Sequence, residues 1–338
     1  MEILWYCFVA MMLAVYVVLD GFDLGAGVLH LLVARTDEER RAVLRSIGPV
    51  WDGNEVWLIA AGGTLYFAFP VLYSSSFSGF YLPLMIVLWL LILRGISIEF
   101  RNHVESLVWH PLWDAVFAGA SALLAIFFGA ALGNVVRGVP LDSQGEFFLP
   151  LWTDFAAGAE AGILDWYTVL VAVAALLALT VHGALWLVLK NSGAVEERSR
   201  SAASRLWWAL TAGVVLITLV SFRVQPHLAD SFAARPWTAI FPVIAVAGLA
   251  GMKPLNRARR ALAAFLASCL FLLGMLASVA AGLFPYVLPA SDAKLSLTVS
   301  NAAAAPYGLQ VGLLWFIPGM LLTTAYFVYT YRSFAGKV

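Results

Sequence analysis

The sequence predicts an all-α integral membrane protein in which nine helices cross the bilayer. Three observations carry that prediction. First, 62% of the 338 residues are hydrophobic and only 12% are charged, with a mean hydropathy of +0.88; soluble domains average about 45–50% apolar and about 25% charged residues. Second, the apolar residues form long continuous runs, not the short alternating runs of a membrane barrel. Lipid leaves no backbone group unpaired, so such runs must be helices. Third, Lys and Arg fall on alternate links between the runs.

A helix needs about 20 apolar residues to cross. The spans are expected at 3–34, 51–73, 80–98, 113–136, 166–189, 206–222, 237–252, 261–283 and 307–331. The seventh is short and contains Pro242, and the longest link, 137–165, has the size of a surface loop. Residues 1–338 therefore read as a single polytopic membrane domain. Arg35, Arg40, Arg41, Arg45, Arg94, Arg101, Lys190, Arg198, Arg200, Arg205, Lys253, Arg257, Arg259, Arg260, Arg332 and Lys337 fall on one side. Only Arg137, Arg223, Arg235 and Lys294 fall on the other. That imbalance puts the N-terminus outside and the C-terminus inside, and it supports the span count, because a wrong count would scramble the alternation.

The remaining composition is bland. Met1-Glu2 opens the chain without a basic region, and its apolar run outlasts the about 7–15 residues of a signal-peptide core, so no cleaved leader is expected. A formal net charge of zero argues against a nucleic-acid partner. Cys7 and Cys269, the two cysteines, lie in apolar runs and read as packing residues. The outer loop carries Asp142, Glu146, Asp154, Glu160 and Asp165 without EF-hand spacing, which reads as a solvated surface; no metal site is expected.

The acids inside the spans carry the functional signal. A charge at the bilayer centre costs at least about 2.5–3.5 kcal/mol, so an intramembrane acid marks a candidate site. In the stretch VVLDGFDLGAG, Asp20 and Asp23 lie three residues apart, with His30 farther along the same helix face. The second span opens WDGNEVW, with Asp52 and Glu55 again three apart and Trp51 and Trp57 flanking them. The two spans are antiparallel neighbours, so their acids converge in the inner half of one helix pair. Gly21, Gly25, Gly27, Gly53, Gly62 and Gly63 allow close helix approach. The functional reading is a proton route from the inside; the bland reading pairs these acids with arginines such as Arg94, or makes Asp52 a helix cap.

His182 is the one histidine well inside a span, where a hydrogen-bonded core residue is the expected role. No facing histidine pair suggests a haem of the chain's own. Trp109, Trp113, Trp152, Trp166 and Tyr331, near span ends, read as interfacial anchors, and Asp114 as a cap.

With LDGFDLGAG (19–27) followed by GPVWDGNEVWLI (48–59), the chain resembles subunit II of the cytochrome bd family of quinol oxidases. LRGISIEFR (93–101), LWDAVF (112–117), LGNVVRGVP (132–140), GLFPYVLPAS (282–291) and SLTVSNA (296–302) extend the resemblance over nearly the whole chain. The resemblance implies two four-helix bundles, within 1–136 and 166–283, plus an additional helix at 307–331. It implies a heterodimer with subunit I in the bacterial inner membrane. That partner would hold two b-type haems and one d-type haem and oxidise the quinol pool, with a small single-span accessory subunit in some members. Subunit II itself carries no haem ligands and helps deliver cytoplasmic protons for reduction of oxygen to water. The family's path residue falls on Asp52 and its first-span acids on Asp20 and Asp23. Some members hold a structural quinone near the tryptophan that aligns with Trp51. Arg94, Glu99 and Arg101 stand at the inner end of the third span, as a cytoplasmic entrance or a salt-bridged helix end.

Two other readings compete. A proton-coupled transporter would place acids in matching halves with broken helices at the midplane, whereas these acids cluster in the first two spans. A redox subunit with its own haem would centre on His182.

Overall fold

The computed structural model describes residues 1–158 and 161–338. The long apolar runs become helices, and the last of them continues through Pro318. Among the described residues these are α1 (Glu2–Val33), α2 (Asp37–Ile47), α3 (Trp51–Ala68), α4 (Pro70–Gly79), α5 (Tyr81–Phe100), α6 (Trp109–Arg137), α7 (Trp166–Lys190), α8 (Gly193–Val224), α9 (His227–Ala234), α10 (Ile240–Arg257), α11 (Ala261–Leu283) and α12 (Pro306–Ser333). A short 3-10 turn, Pro236–Ala239, leads into α10. By length and apolarity, 8 of these helical segments can cross a membrane: α1, α5, α6, α7, α8, the turn with α10, α11 and α12.

The segment expected as the second span is not among them. Its first turns carry Asp52, Asn54 and Glu55, and α3 stops at Phe69 because Pro70 has no N–H to continue the ladder. The expected sixth span is longer than its apolar stretch. Arg198, Arg200 and Arg205, expected in a link, ride on the first turns of α8.

The polar links are built by caps. Thr36 and Glu39 form a reciprocal capping box that starts α2. Asp165 caps α7, accepting from the backbone N–H of Tyr167 at 2.7 Å and Thr168 at 3.1 Å, and pairs with Arg137. It is fully buried, which corrects its reading as solvated loop surface. Asp142 and Asp154 instead stay exposed and accept from loop backbone; Glu160 lies outside the described residues.

α1 is the central helix, packing on α3, α6, α7 and α11. Every residue from Asp20 to Gly27 is buried. Its approach to α7 depends on paired glycines: a Cβ at Gly25 would stand 2.8 Å from both Cα and N of Gly183. α5 lies on α6, α8 on α7, and α10 on α11, where a Cβ at Gly274 would meet the Ala245 nitrogen at 2.5 Å. α12 touches α1 lightly and leaves Trp315, Leu314, Leu322 and Tyr329 more than two-thirds exposed, at 78%, 72%, 73% and 72%.

One departure from an all-helical fold lies in the link after α11. Strands β1 (Tyr286–Leu288) and β2 (Leu297–Thr298) pair antiparallel. With Val139, Leu141 and Leu149 they close a small apolar core at the end opposite most arginines.

Candidate functional site

The sequence-predicted acids divide into two buried clusters and two exposed residues. In the first cluster, Asp20 and Arg94 are both fully buried and meet through both carboxylate oxygens, one at 2.8 Å from Nη1. The pair joins the middle of α1 to α5. Glu55 of α3, 21% exposed, stands with Oε2 3.8 Å from the same guanidinium. Asp23, one turn from Asp20, accepts from the Asn54 amide at 2.8 Å. Asn54 in turn accepts from the Tyr331 hydroxyl of α12 at 2.8 Å. The second Asp23 oxygen, Oδ1, is buried without a hydrogen-bond partner among the described residues. Asp20 is thus held on both oxygens by a cation, whereas Asp23 has one neutral donor and one free atom.

The second cluster lies nearer the basic end and centres on Asp114 of α6, which is not a cap. It accepts from Arg101 Nε at 2.5 Å and Arg40 Nη1 at 3.0 Å, and lies 2.6 Å from His30 Nε2. Arg101 also donates to Asp37 at 2.7 Å. Four elements, α1, α2, α6 and the end of α5, meet on this carboxylate. Partial burial pushes the Asp37 carboxyl up, but hydrogen bonds from Arg101 and Arg41 outweigh it and hold the group below the usual carboxylate range. Burial likewise works to lower the Arg101 guanidinium, and its bonds to Asp114 and Asp37 reverse that and raise it.

His30 therefore joins Asp114 rather than the Asp20–Asp23 group. Asp52 is exposed at the start of α3, makes no side-chain cap bond, and stands outside both clusters. Glu99 is exposed too, and among the described residues it forms no ion pair; Arg94 and Arg101 choose Asp20, Asp37 and Asp114 instead. Trp51 is half-buried at the core edge, its ring 3.4 Å from where a Cβ at Gly95 would sit. Tyr331, expected as an interfacial anchor, is a member of the buried network.

Sequence reasoning passed over Asn54, read Asp114 as a cap and Tyr331 as an interfacial anchor, and counted Arg40 only for its charge. Asn54 carried a signal: an amide in the middle of WDGNEVW, in a stretch otherwise read for its acids. Nothing in the local sequence of Arg40 or Tyr331 pointed to their partners.

His182 has both ring nitrogens engaged, Nδ1 with Ser268 at 2.7 Å and Nε2 with the Val18 carbonyl at 2.9 Å. It offers iron no free nitrogen, so its donor set does not fit a haem ligand. Among the described residues no three His, Cys, Asp or Glu side chains group as a metal site.

Comparison with known proteins returns one family over almost the full length. The family model described as cytochrome bd terminal oxidase subunit II matches residues 1–334. The chain is 30% identical to the probable cytochrome oxidase subunit 2 of Haemophilus influenzae, covering 100% of this chain and 95% of that protein. It is 30% identical to the cytochrome bd-I ubiquinol oxidase subunit 2 of Escherichia coli, covering 96% and 93%. It is 29% identical to the cytochrome bd ubiquinol oxidase subunit 2 of Bacillus subtilis, covering 91% and 88%. A chain of the bd oxidase structure from Geobacillus thermodenitrificans shares the fold, with a TM-score of 0.76 at 20% identity over 98% of each chain.

Proposed function

This chain belongs to the cytochrome bd terminal oxidase subunit II family, and on that premise we propose that it is the haem-free subunit of a bacterial inner-membrane quinol:oxygen oxidoreductase. Its partner is a haem-bearing subunit I, and the two act on the membrane quinol pool. The partner's two b-type haems and one d-type haem supply the electron transfer and oxygen reduction. This chain's part is to hold that partner and to bring protons from the cytoplasm. In this reading nine spans form two four-helix bundles plus α12, with α3 as the short second span. The N-terminus is outside and the basic end is cytoplasmic. The apolar exposure of α12 supports a protein partner on that side.

The observation that carries the proton role is the buried polar network on α1. Asp52 and Glu55 lie at the mouth of α3, where a proton from the basic end arrives. Asp20, clamped by Arg94, holds α1 and α5 in place. Asp23, with its unpartnered Oδ1, is the atom on which a proton is carried inward. His30 with Asp114 forms a second polar step on the basic side, and Arg94 and Arg101 fix the entrance. A structural quinone would be held at Trp51.

The test is oxygen reduction at saturating quinol by the purified complex. Asp23→Asn and Asp52→Asn lower turnover while the haem spectrum of the partner persists. Unchanged turnover in both removes the route, and failure of the chain to co-purify with a haem-bearing partner removes the assignment to the complex.

A further inference from the structure

A second polar feature stands apart from the buried acids. At the basic end, α8 and α10 part around an open cleft of about 520 Å³, lined by Trp207 and Trp208 on one side and by Lys253, Pro254, Arg257 and Ala258 on the other. The Lys253 residue is only 8% exposed. Its ammonium sits 3.6 Å from the Trp208 ring centre and 4.9 Å from that of Trp207. Among the described residues neither Lys253 nor Arg257 has a carboxylate partner. The acids nearest in sequence on α8 are already taken: Glu196 by Arg200 and Lys337, Glu197 by Arg259. Trp207 spends its indole N–H on the Leu249 carbonyl at 2.7 Å, whereas Trp208 is 63% exposed.

Two cations without an anion, walled by indole rings and small apolar side chains, lack one chemical component. Cation–π contact holds an ammonium on one side and leaves its other side open to an anion. The cleft lies where two membrane helices emerge, at the depth where tryptophans mark the interface. The outer wall is α8, of whose most apolar stretch only 6% is buried.

We propose that this cleft binds the phosphate headgroup of an anionic phospholipid, with Lys253 and Arg257 on the phosphate and the tryptophans along the glycerol and upper acyl chain. Basic pockets between membrane helices on the cytoplasmic side recognise such headgroups. A soluble phosphate would have no use for the aromatic wall. The inference needs only that the chain spans a membrane, and it stands or falls apart from the oxidase reading.

The test is native mass spectrometry of the full chain, with whatever partner co-purifies, in neutral detergent. Phosphatidylglycerol, phosphatidylcholine and inorganic phosphate are titrated separately. Phosphatidylglycerol is expected to bind about thirty-fold tighter than phosphatidylcholine, the combined pull of two surface cations. Lys253→Gln and Arg257→Gln each weaken it about five-fold, equivalent to about 1 kcal/mol per cation. Lys253→Arg restores binding, and Arg205→Gln, exposed and outside the cleft, leaves it unchanged. Arg257 is itself exposed, so its variant keeps the question open to refutation if Lys253→Gln fails to fold. Equal uptake of the two lipids, or unchanged binding in both glutamine variants, overturns the proposal. Displacement of the lipid by inorganic phosphate at about equal concentration also overturns it, by showing a general anion site.

Discussion

Arg94→Met is the sharpest perturbation of the buried network. Arg94 holds both carboxylate oxygens of Asp20, and both groups are fully buried. Losing the guanidinium leaves a carboxylate inside the bundle with no countercharge. Breaking a buried pair from one side costs about 3–5 kcal/mol, while replacing both members with apolar groups of like size is near neutral. Arg94→Met alone should therefore shift the unfolding equilibrium more than a hundredfold, at about 1.4 kcal/mol per tenfold. Adding Asp20→Leu should return most of that loss, giving a coupling energy of about 3 kcal/mol. The assay is reversible unfolding of the purified chain in mixed detergent with rising dodecyl sulfate, followed by far-ultraviolet circular dichroism. A single-variant cost under about 1 kcal/mol, or a double variant no more stable than Arg94→Met, would refute the reasoning. In that case the clamp contributes no more than an ordinary hydrogen bond.

Other expectations follow from the same geometry. Gly183→Val forces a side chain onto the Gly25 backbone and should cost about 3 kcal/mol, while Gly62→Ala, with nothing within 4 Å of its Cβ, is neutral or stabilising in the same unfolding assay. Tyr331→Phe removes the bond to Asn54 and should cost about 1 kcal/mol; an amide-exchange comparison should show faster exchange at the end of α12. The Glu39 carboxyl is held below its ordinary value of about 4.5, first by the Arg35 backbone N–H and then by the Arg198 guanidinium. Its contribution to α2 is complete above that ordinary value and disappears as pH falls through the lower folded one. Exchange protection of α2 should drop on acidification, and Glu39→Gln should weaken that dependence, leaving the part that Asp37 contributes through Arg101 and Arg41.

The helical membrane fold was legible because lipid imposes one answer on a long apolar run. α3 was less so. Its polar first turns and the break before Pro70 make it a helix whose place depends on neighbours, since only burial against α1 satisfies Asn54. Pairing of acids with Arg94 was foreseen as the bland alternative, and for Asp20 it describes the geometry. Asp114 was misread as a cap because its partners, His30, Arg40 and Arg101, come from three other elements, and local spacing reports none of them. Tyr331 was hidden by distance: 277 residues separate it from Asn54. Asp52 and Glu99 are exposed in this chain. A motif position makes a residue conspicuous, but exposure is decided by what packs over it, and local spacing does not report that.

The crowded middle of α1 also sets an order of events during synthesis. Asp20 and Asp23 leave the ribosome first, but Arg94 follows 74 residues after Asp20, and Asn54 31 residues after Asp23. The His182 contact to the Val18 carbonyl closes only 164 residues later. The helix must therefore wait in or beside the insertion machinery as an incompletely neutralised segment until α3 and α5 arrive. It can seat against α7 only after half the chain has been made. A nascent chain stalled before residue 94 would therefore hold α1 without the guanidinium that pairs with Asp20.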